Sequence, residues 1–352
     1  MIIAALLHFN PGSKTNIEAV MLSHLANQYP AHQFVFFYTG TPPLYFTNNN
    51  HARTIQVAIK TQPDYMYCIW SRFSLPRLLK KYKADVFVNC NSFVNTYIQT
   101  PQVLFFTKQF LFKNKKQAGT FSHFKKRGIA VTENYFIENM KLADREPQIF
   151  ETGYPVAEGF TAASWQEKLS IKTEFAAGHD FFICLIHLQN KNQAITILKA
   201  FSIFKKRQKS AIRLVLLLKG IHIEEAVPEF HLYKYRQEVN IQQEINEAHT
   251  RRLLAAAFAF IAISHDLEIT DALLALHANV PIILPDTERF HKLCKDAAIY
   301  CGNEEKSIAE GMMEIYKNEL LQHTLIENAQ EIISFHSLAA STNKLWEAIV
   351  KN

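Results

Sequence analysis

The stretch ICLIHLQNKNQAITILKAF, Ile183–Phe201, decides how this chain folds. It opens on an apolar run of the kind that forms a buried strand of a parallel sheet. The run breaks at a short polar turn carrying Lys191, after which helical spacing sets in, with Ile195, Leu198 and Phe201 expected on one face. A second strand-like run, Arg213–Leu218, follows and ends at Lys219-Gly220. Such a β-turn-α-β unit sets a lone lysine and a row of free backbone N–H groups at the carboxyl edge of a sheet. That edge is where open α/β sheets bind nucleotides and other phosphates.

Working outward, strand-like runs alternate with helical patterns almost throughout, which is the signature of parallel-sheet α/β folding. In the first half the runs are Ile2–Phe9, Phe34–Tyr38, Asp85–Asn89, Val103–Thr107, Ile129–Thr132 and Gln148–Glu151, with helical spacing over Asn16–Tyr29 and Leu75–Tyr82. The second half adds Phe181–His187, Arg213–Leu218, Glu238–Ile241, Phe258–Ile263, Pro281–Leu284 and Ala298–Tyr300. Helices are expected over Ala194–Gln208, Ile245–Ala255, Thr270–His277, Glu305–Lys317 and Leu320–Ser334. At 352 residues the chain is too long for one ordinary core, so two domains are expected. Gly153–Ala177, with Pro155, Gly159 and small polar residues, reads as the connection between them. The expected division is residues 1–155, residues 156–335, and a terminal segment 336–352 whose amphipathic stretch Leu338–Val350 forms a helix that packs back on the first domain.

Composition narrows the function. Hydrophobic residues make up 48% and charged residues 20%, a normal globular balance. No window reaches the ~18 apolar residues that a membrane span needs. Met1–Phe9 lacks a basic leader and a small-residue cleavage site, so it reads as a first buried strand and not as a signal peptide. The five cysteines, Cys68, Cys90, Cys184, Cys294 and Cys301, show neither pairing nor metal-ligand spacing, which fits a reducing cytoplasm. The net charge of +6 is unevenly spread: Met1–Ala130 carries fifteen Lys/Arg against three acids, Glu18, Asp64 and Asp85, and the remainder is net acidic. The basic residues gather at Arg77–Lys83, Lys113–Lys116 and Lys125–Arg127. Such a field attracts an anionic membrane surface or a phosphorylated substrate; a solvated face without a partner is the alternative. No nucleic-acid reader motif accompanies it. HExxH, GxSxG and Walker lysine motifs are absent, which argues against zinc proteolysis, serine hydrolysis and P-loop chemistry.

Several passages occur in a telling order. They are IFETGYPVAEGF (Ile149–Phe160), NKNQAITILKAFSIFKK (Asn190–Lys206), RRLLAAAFAFIAIS (Arg251–Ser264), DALLALHANVPIILPD (Asp271–Asp286) and DAAIYCGNEEKSIAEGM (Asp296–Met312). Together, from about Gln148 to Trp346, they resemble the nucleotide-sugar domain of retaining two-domain glycosyltransferases, the family 4-like group. LPRLLKKYKADVFVNCNSF (Leu75–Phe93) is a looser match to the other domain. The resemblance implies two Rossmann-like α/β domains whose parallel sheets face a cleft, the glycosyltransferase B-type fold. The first would be the acceptor side and the second would hold the nucleotide sugar.

The resemblance also implies a site. The donor's diphosphate leaves as an anion, so cations and N–H donors are needed but no obligatory metal and no cofactor. Lys191, just before a helix, would neutralise that leaving group, an exposed turn lysine being the structural alternative. Where the family adds an arginine, this chain has Ile186 and His187, which makes His187 a weaker substitute. The family's pair of glutamates eight positions apart falls on Asp266 and Leu274, with Glu268 close to the first. Leu274 cannot accept a hydrogen bond, and Asn279 stands where the family has a glycine. In the loop HFNPGSKTN (His8–Asn16), Gly12 and Ser13 would face the donor, as would Thr270. A turn with an N-cap at Thr15 or Asn16 is the structural alternative there, and Asp266 and Glu268 could equally cap the helix after Thr270. Lys108 replaces a histidine that often follows the strand at Val103–Thr107.

The expected function is transfer of a sugar from a nucleotide-diphosphate donor to a saccharide or lipid-linked acceptor, with retention. It would take place in the cytoplasm or at the inner face of a membrane. The rivals are a non-catalytic relative with a degenerate donor site, and a sugar-nucleotide epimerase on the same scaffold.

Overall fold

The computed structural model describes residues 1–9, 16–58, 64–90, 98–106, 129–132, 148–156, 163–187, 192–243, 246–264 and 269–351. The chain divides into two compact units, Met1–Pro155 with Phe335–Asn352, and Val156–Ser334.

The second unit is built on the strands β8 (Phe181–His187), β9 (Arg213–Lys219), β10 (Val239–Gln242), β11 (Ala259–Ile261), β12 (Ile282–Pro285) and β13 (Ala298–Cys301). They form one sheet in the order β10-β9-β8-β11-β12-β13, and every pairing is parallel. Parallel strands carry helices on both faces, which is why Phe181–Ile186 and Leu214–Leu218 are buried as continuous runs without alternation. Helix Asn192–Gln208 lies on the sheet through Ala194, Ile197, Leu198, Phe201 and Phe204, a repeat of three and four residues. Ile195 belongs to the opposite, exposed side, so the expected face is rotated by part of a turn. Helix Glu305–Lys317 contributes Ile308, Met312 and Ile315 to the same core. It also holds a glycine for a packing reason: a Cβ on Gly311 would stand 2.6 Å from the Cys301 sulfur.

The first unit has strands β1 (Ile2–Phe9), β2 (Gln33–Gly40), β3 (Ala52–Gln56), β4 (Val86–Asn89), β5 (Gln102–Phe106), β6 (Ile129–Val131) and β7 (Ile149–Glu151). Their order is β3-β2-β1-β4-β5-β6-β7, again with parallel pairs throughout. Helices Ile17–Gln28 and Leu338–Val350 share one core cluster with β1, supplying Leu22, Leu25, Leu345 and Ile349. Trp346 stacks on Tyr29 at 4.0 Å, and the Gln28 side-chain amide donates to Asn343 Oδ1 at 2.9 Å. Buried His336 accepts from the Tyr154 N–H through Nδ1 at 2.8 Å. Helix Asp64–Lys81 covers the other face with Leu75 and Leu79.

Several elements differ from the sequence expectation, among them the short helices Leu44–Thr47, Ile223–Ala226 and Glu288–Cys294, which it does not foresee. Gly153–Ala177 is not all connection, since Trp165–Ala176 is a helix with a complete capping box in which Ser164 and Glu167 bond each other's backbone N–H. Strand β3 is an edge strand without an apolar run. The helix expected from Leu75 begins eleven residues earlier, at Asp64, and runs through Pro76.

Candidate functional site

In an open α/β sheet the crevice lies at the carboxyl edge, where the strand order reverses. In the second unit that point falls between β8 and β11, because β9 and β10 lie on one side of β8 and β11 to β13 on the other. Residues 188–191, 265–268 and 10–15 are outside the described residues, and with them Lys191, Asp266, Glu268, Gly12 and Ser13. What is described is the frame around the first two of these loops.

Strand β8 ends at His187, whose backbone stands in register with Lys219 at the end of β9. Its side chain lies outside the described set. Helix Asn192–Gln208 begins almost at once, turning its first N–H groups, which have no intrahelical acceptor, toward this edge. Gln193 ties that helix start to the far side of the reversal, donating from Nε2 to the Ile263 carbonyl at 3.2 Å. Its Oε1 is buried and has no partner among the described residues. Buried Ser264 follows. Beyond the loop, helix Ile269–His277 opens with Thr270 as its second residue, half-buried, so Thr270 stands inside the first turn and does not precede it.

His187, the last residue of β8, and Thr270, in the helix that follows β11, thus belong to the segments after two neighbouring strands. Leu274, 7% exposed, is buried in its helix, and Ile186 is fully buried in the sheet core. Asn279 has φ +55°, the left-handed region that favours glycine, and its Oδ1 accepts from Gln330 at 3.3 Å. The residue that sequence reasoning missed is Gln193. Its signal is legible in retrospect: it stands four and eight residues before Ile197 and Phe201, so a polar group occupies an apolar phase.

The first unit repeats the arrangement, with its reversal between β1 and β4. Asn16 caps helix Ile17–Gln28, its Oδ1 accepting from the Ala19 N–H at 2.8 Å while Nδ2 donates to the His8 carbonyl at 3.3 Å. His8 Nδ1 and Thr39 Oγ1 share a 2.6 Å hydrogen bond. Gly40 is required here, because a Cβ would lie 1.9 Å from the Phe9 carbonyl oxygen, and φ is +81°. Cys90 follows β4. Burial, and next the Glu18 carboxylate, push its thiol well above the ordinary value, which suits an inert thiol and not a nucleophile. Among the described residues no group of His, Cys, Asp and Glu gathers as a metal site would. Nor is any described helix long and apolar enough to cross a membrane.

No protein-family model and no curated protein matches the chain. Solved structures match over its whole length. A glycosyltransferase from Rickettsia africae superposes with a TM-score of 0.77 at 11% identity, over 100% of this chain and 99% of the other. WaaG, a glycosyltransferase involved in lipopolysaccharide biosynthesis, gives 0.65 at 13% identity over 100% of both chains. HepE of Anabaena, crystallised with UDP and glucose, gives 0.68 at 10% identity over 99% of each. At such identities the shared property is the fold. The chain has the two Rossmann-like α/β units of the glycosyltransferase B-type fold.

Proposed function

We propose that this chain is a glycosyltransferase that moves a sugar from a nucleotide-diphosphate donor to a saccharide or lipid-linked acceptor, with retention at the anomeric carbon. The observation that carries the reading is the β8/β11 reversal: a helix N-terminus at Asn192, tied across the reversal by Gln193 and preceded in sequence by Lys191. Helix N-terminal N–H groups with an adjacent ammonium are suited to a leaving diphosphate. The full-length likeness to glycosyltransferases, one of them holding UDP and glucose, supports it.

In this reading the second unit is the nucleotide-sugar domain and the first the acceptor side. Lys191, His187 and Thr270 bind the donor's diphosphate, together with Gly12 and Ser13 from the loop after β1. Asp266 or Glu268 stands beside the sugar, where a carboxylate stabilises positive charge developing at the anomeric carbon. No metal is assigned to the reaction. The excess of cations in the first unit favours an acceptor presented at an anionic membrane surface on its cytoplasmic side.

A second reading, a non-catalytic binding protein on the same fold, is favoured by one observation: Leu274 and Ile186 are buried apolar residues where the resembled family places an acid and a cation. Titration calorimetry with UDP, GDP and ADP and their sugars separates the possibilities. Binding that weakens in Lys191→Ala supports the donor site, and uniformly absent binding removes it. Donor hydrolysis by the pure protein, lost in the same variant, counts against the non-catalytic reading.

A further inference from the structure

Helix Asp64–Lys81 has two faces of opposite character. The inner face is spent on the sheet, where Leu75 (2% exposed) and Leu79 (1%) pack with Ala4, Leu6, Val35, Phe37 and Phe87. The helix is thereby fixed in rotation, and Ile69 and Phe73 are held outward, 56% and 52% exposed. These two residues are four apart and so lie one above the other on the surface. Lys80 falls on the same stripe, eleven residues from Ile69 and close to three turns of helix. Exposed Arg72, Arg77 and Lys81 flank it, and Lys83 follows just past the end. The Arg72 guanidinium lies 5.4 Å from the centre of the Phe73 ring, so cation and apolar group form one patch. No acid stands between Ile69 and Lys83. The next one, Asp85, already accepts from the Ile2 N–H at 2.7 Å.

We infer that this face is a membrane-docking surface that seats on anionic phospholipid, with Ile69 and Phe73 entering the boundary between headgroups and acyl chains. Charge alone would suit any polyanion. Two bulky apolar side chains held in water among five cations fit a bilayer interface better, because it takes up both kinds of group at once. Arginine and lysine can lay their aliphatic stems along the apolar zone and keep their charges at the phosphates. The inference rests on the proposed lipid-linked acceptor only for its purpose, since lipid binding is measured without donor or acceptor.

The test is co-sedimentation of the full chain with vesicles of phosphatidylcholine alone and with about 30% phosphatidylglycerol, at low and high salt. The expected result is binding to the anionic vesicles only, fading as salt rises. Each cation near a charged surface changes partitioning about fivefold, so the triple variant Arg77→Gln, Lys80→Gln, Lys81→Gln should bind about a hundredfold more weakly. The double variant Ile69→Ser, Phe73→Ser, with every cation in place, should lose about tenfold. All five side chains are exposed, so both variants should melt with the parent protein. Absent binding to anionic vesicles at low salt would overturn the inference. So would full binding by the double apolar variant, the behaviour of a simple polyanion surface. Nucleotide titration in vesicle-free buffer reports on the donor site separately, so either idea can fail without the other.

Discussion

Replacing Lys205 with methionine would measure what a cation does inside the second unit. Lys205 stands in the last turn of helix Asn192–Gln208 and is only 6% exposed. Its ammonium donates to the Ile212 carbonyl at 3.2 Å and to the Ser210 carbonyl, and it pairs with Glu238. It also lies 5.8 Å from the centre of the Phe201 ring. Methionine keeps most of the aliphatic stem, so the packing change is small, below about 1.5 kcal/mol. The larger loss is polar. A hydrogen bond from a charged donor is worth about 1.5–3 kcal/mol, and the buried bond to Ile212 has no ready substitute. The bond to Ser210 is only part-buried, so water can replace much of it. The expected cost is about 2–4 kcal/mol. Glu238 is 31% exposed as a side chain, so Glu238→Gln should cost less than about 1 kcal/mol. For a unit of this size the two variants should lower the melting temperature by about 5–15 °C and by less than about 4 °C. Scanning calorimetry reads both shifts, and hydrogen exchange over residues 209–213 assigns the transition to this unit. Equal shifts for the two variants, or a Lys205→Met shift below about 2 °C, would refute the idea that the carbonyl bonds dominate.

Two glycines with the same φ of +81° should respond differently to alanine. At Gly40 the added Cβ meets the Phe9 carbonyl oxygen at 1.9 Å, and Gly40→Ala should cost about 3 kcal/mol or more; at Gly178 nothing lies within 4 Å, and Gly178→Ala should cost only the left-handed strain of about 1 kcal/mol, both measured by denaturant melts. His277 supplies a pH dependence. Burial first and the Arg251 guanidinium second hold its pKa below the ordinary 6.5, so the folded state binds this proton less readily than the unfolded one. Its contribution is fully present above 6.5 and is lost as pH falls through the window between that value and the lower folded one. Melting temperatures from pH 5 to 8 should show this slope in the parent and a weaker one in His277→Gln, and identical profiles would remove the assignment.

Much of the architecture is legible in the residues themselves. Ile2–Phe9 and Phe181–His187 are strands with the bounds that their apolar runs suggest, and Glu305–Lys317 and Leu338–Val350 are helices with the bounds that their periodicity suggests. Fully buried parallel strands and two-sided helices write strong patterns, because each position is either in the core or in water. Strand β3, ARTIQ, leaves no such mark, since it sits at an edge with every residue partly exposed or exposed. The helix at Trp165–Ala176 is hidden by Gly153, Pro155 and Gly159 upstream of it, although Ser164 and Glu167 spell its capping box. The site is less legible than the fold. Chain order places Lys191, Asp266 and Glu268 in loops after β8 and β11, but a loop's position does not fix where its side chains point. Lys205 shows the limit most clearly. In the run KKRQK it looks like any solvated lysine, and only the packing of its helix against the strand that follows makes it a buried donor.

The most direct measurement of the proposed function is proton NMR of a UDP- or GDP-sugar incubated with the pure protein, first alone and then with a glycoside or polyprenyl-phosphate saccharide as acceptor. The expected result is slow release of the nucleoside diphosphate, accelerated by acceptor, with the sugar's new bond in the anomeric configuration of the donor and with both rates lost in Lys191→Ala. An inverted product would contradict retention. No turnover and no binding of any nucleotide diphosphate tried would contradict sugar transfer itself.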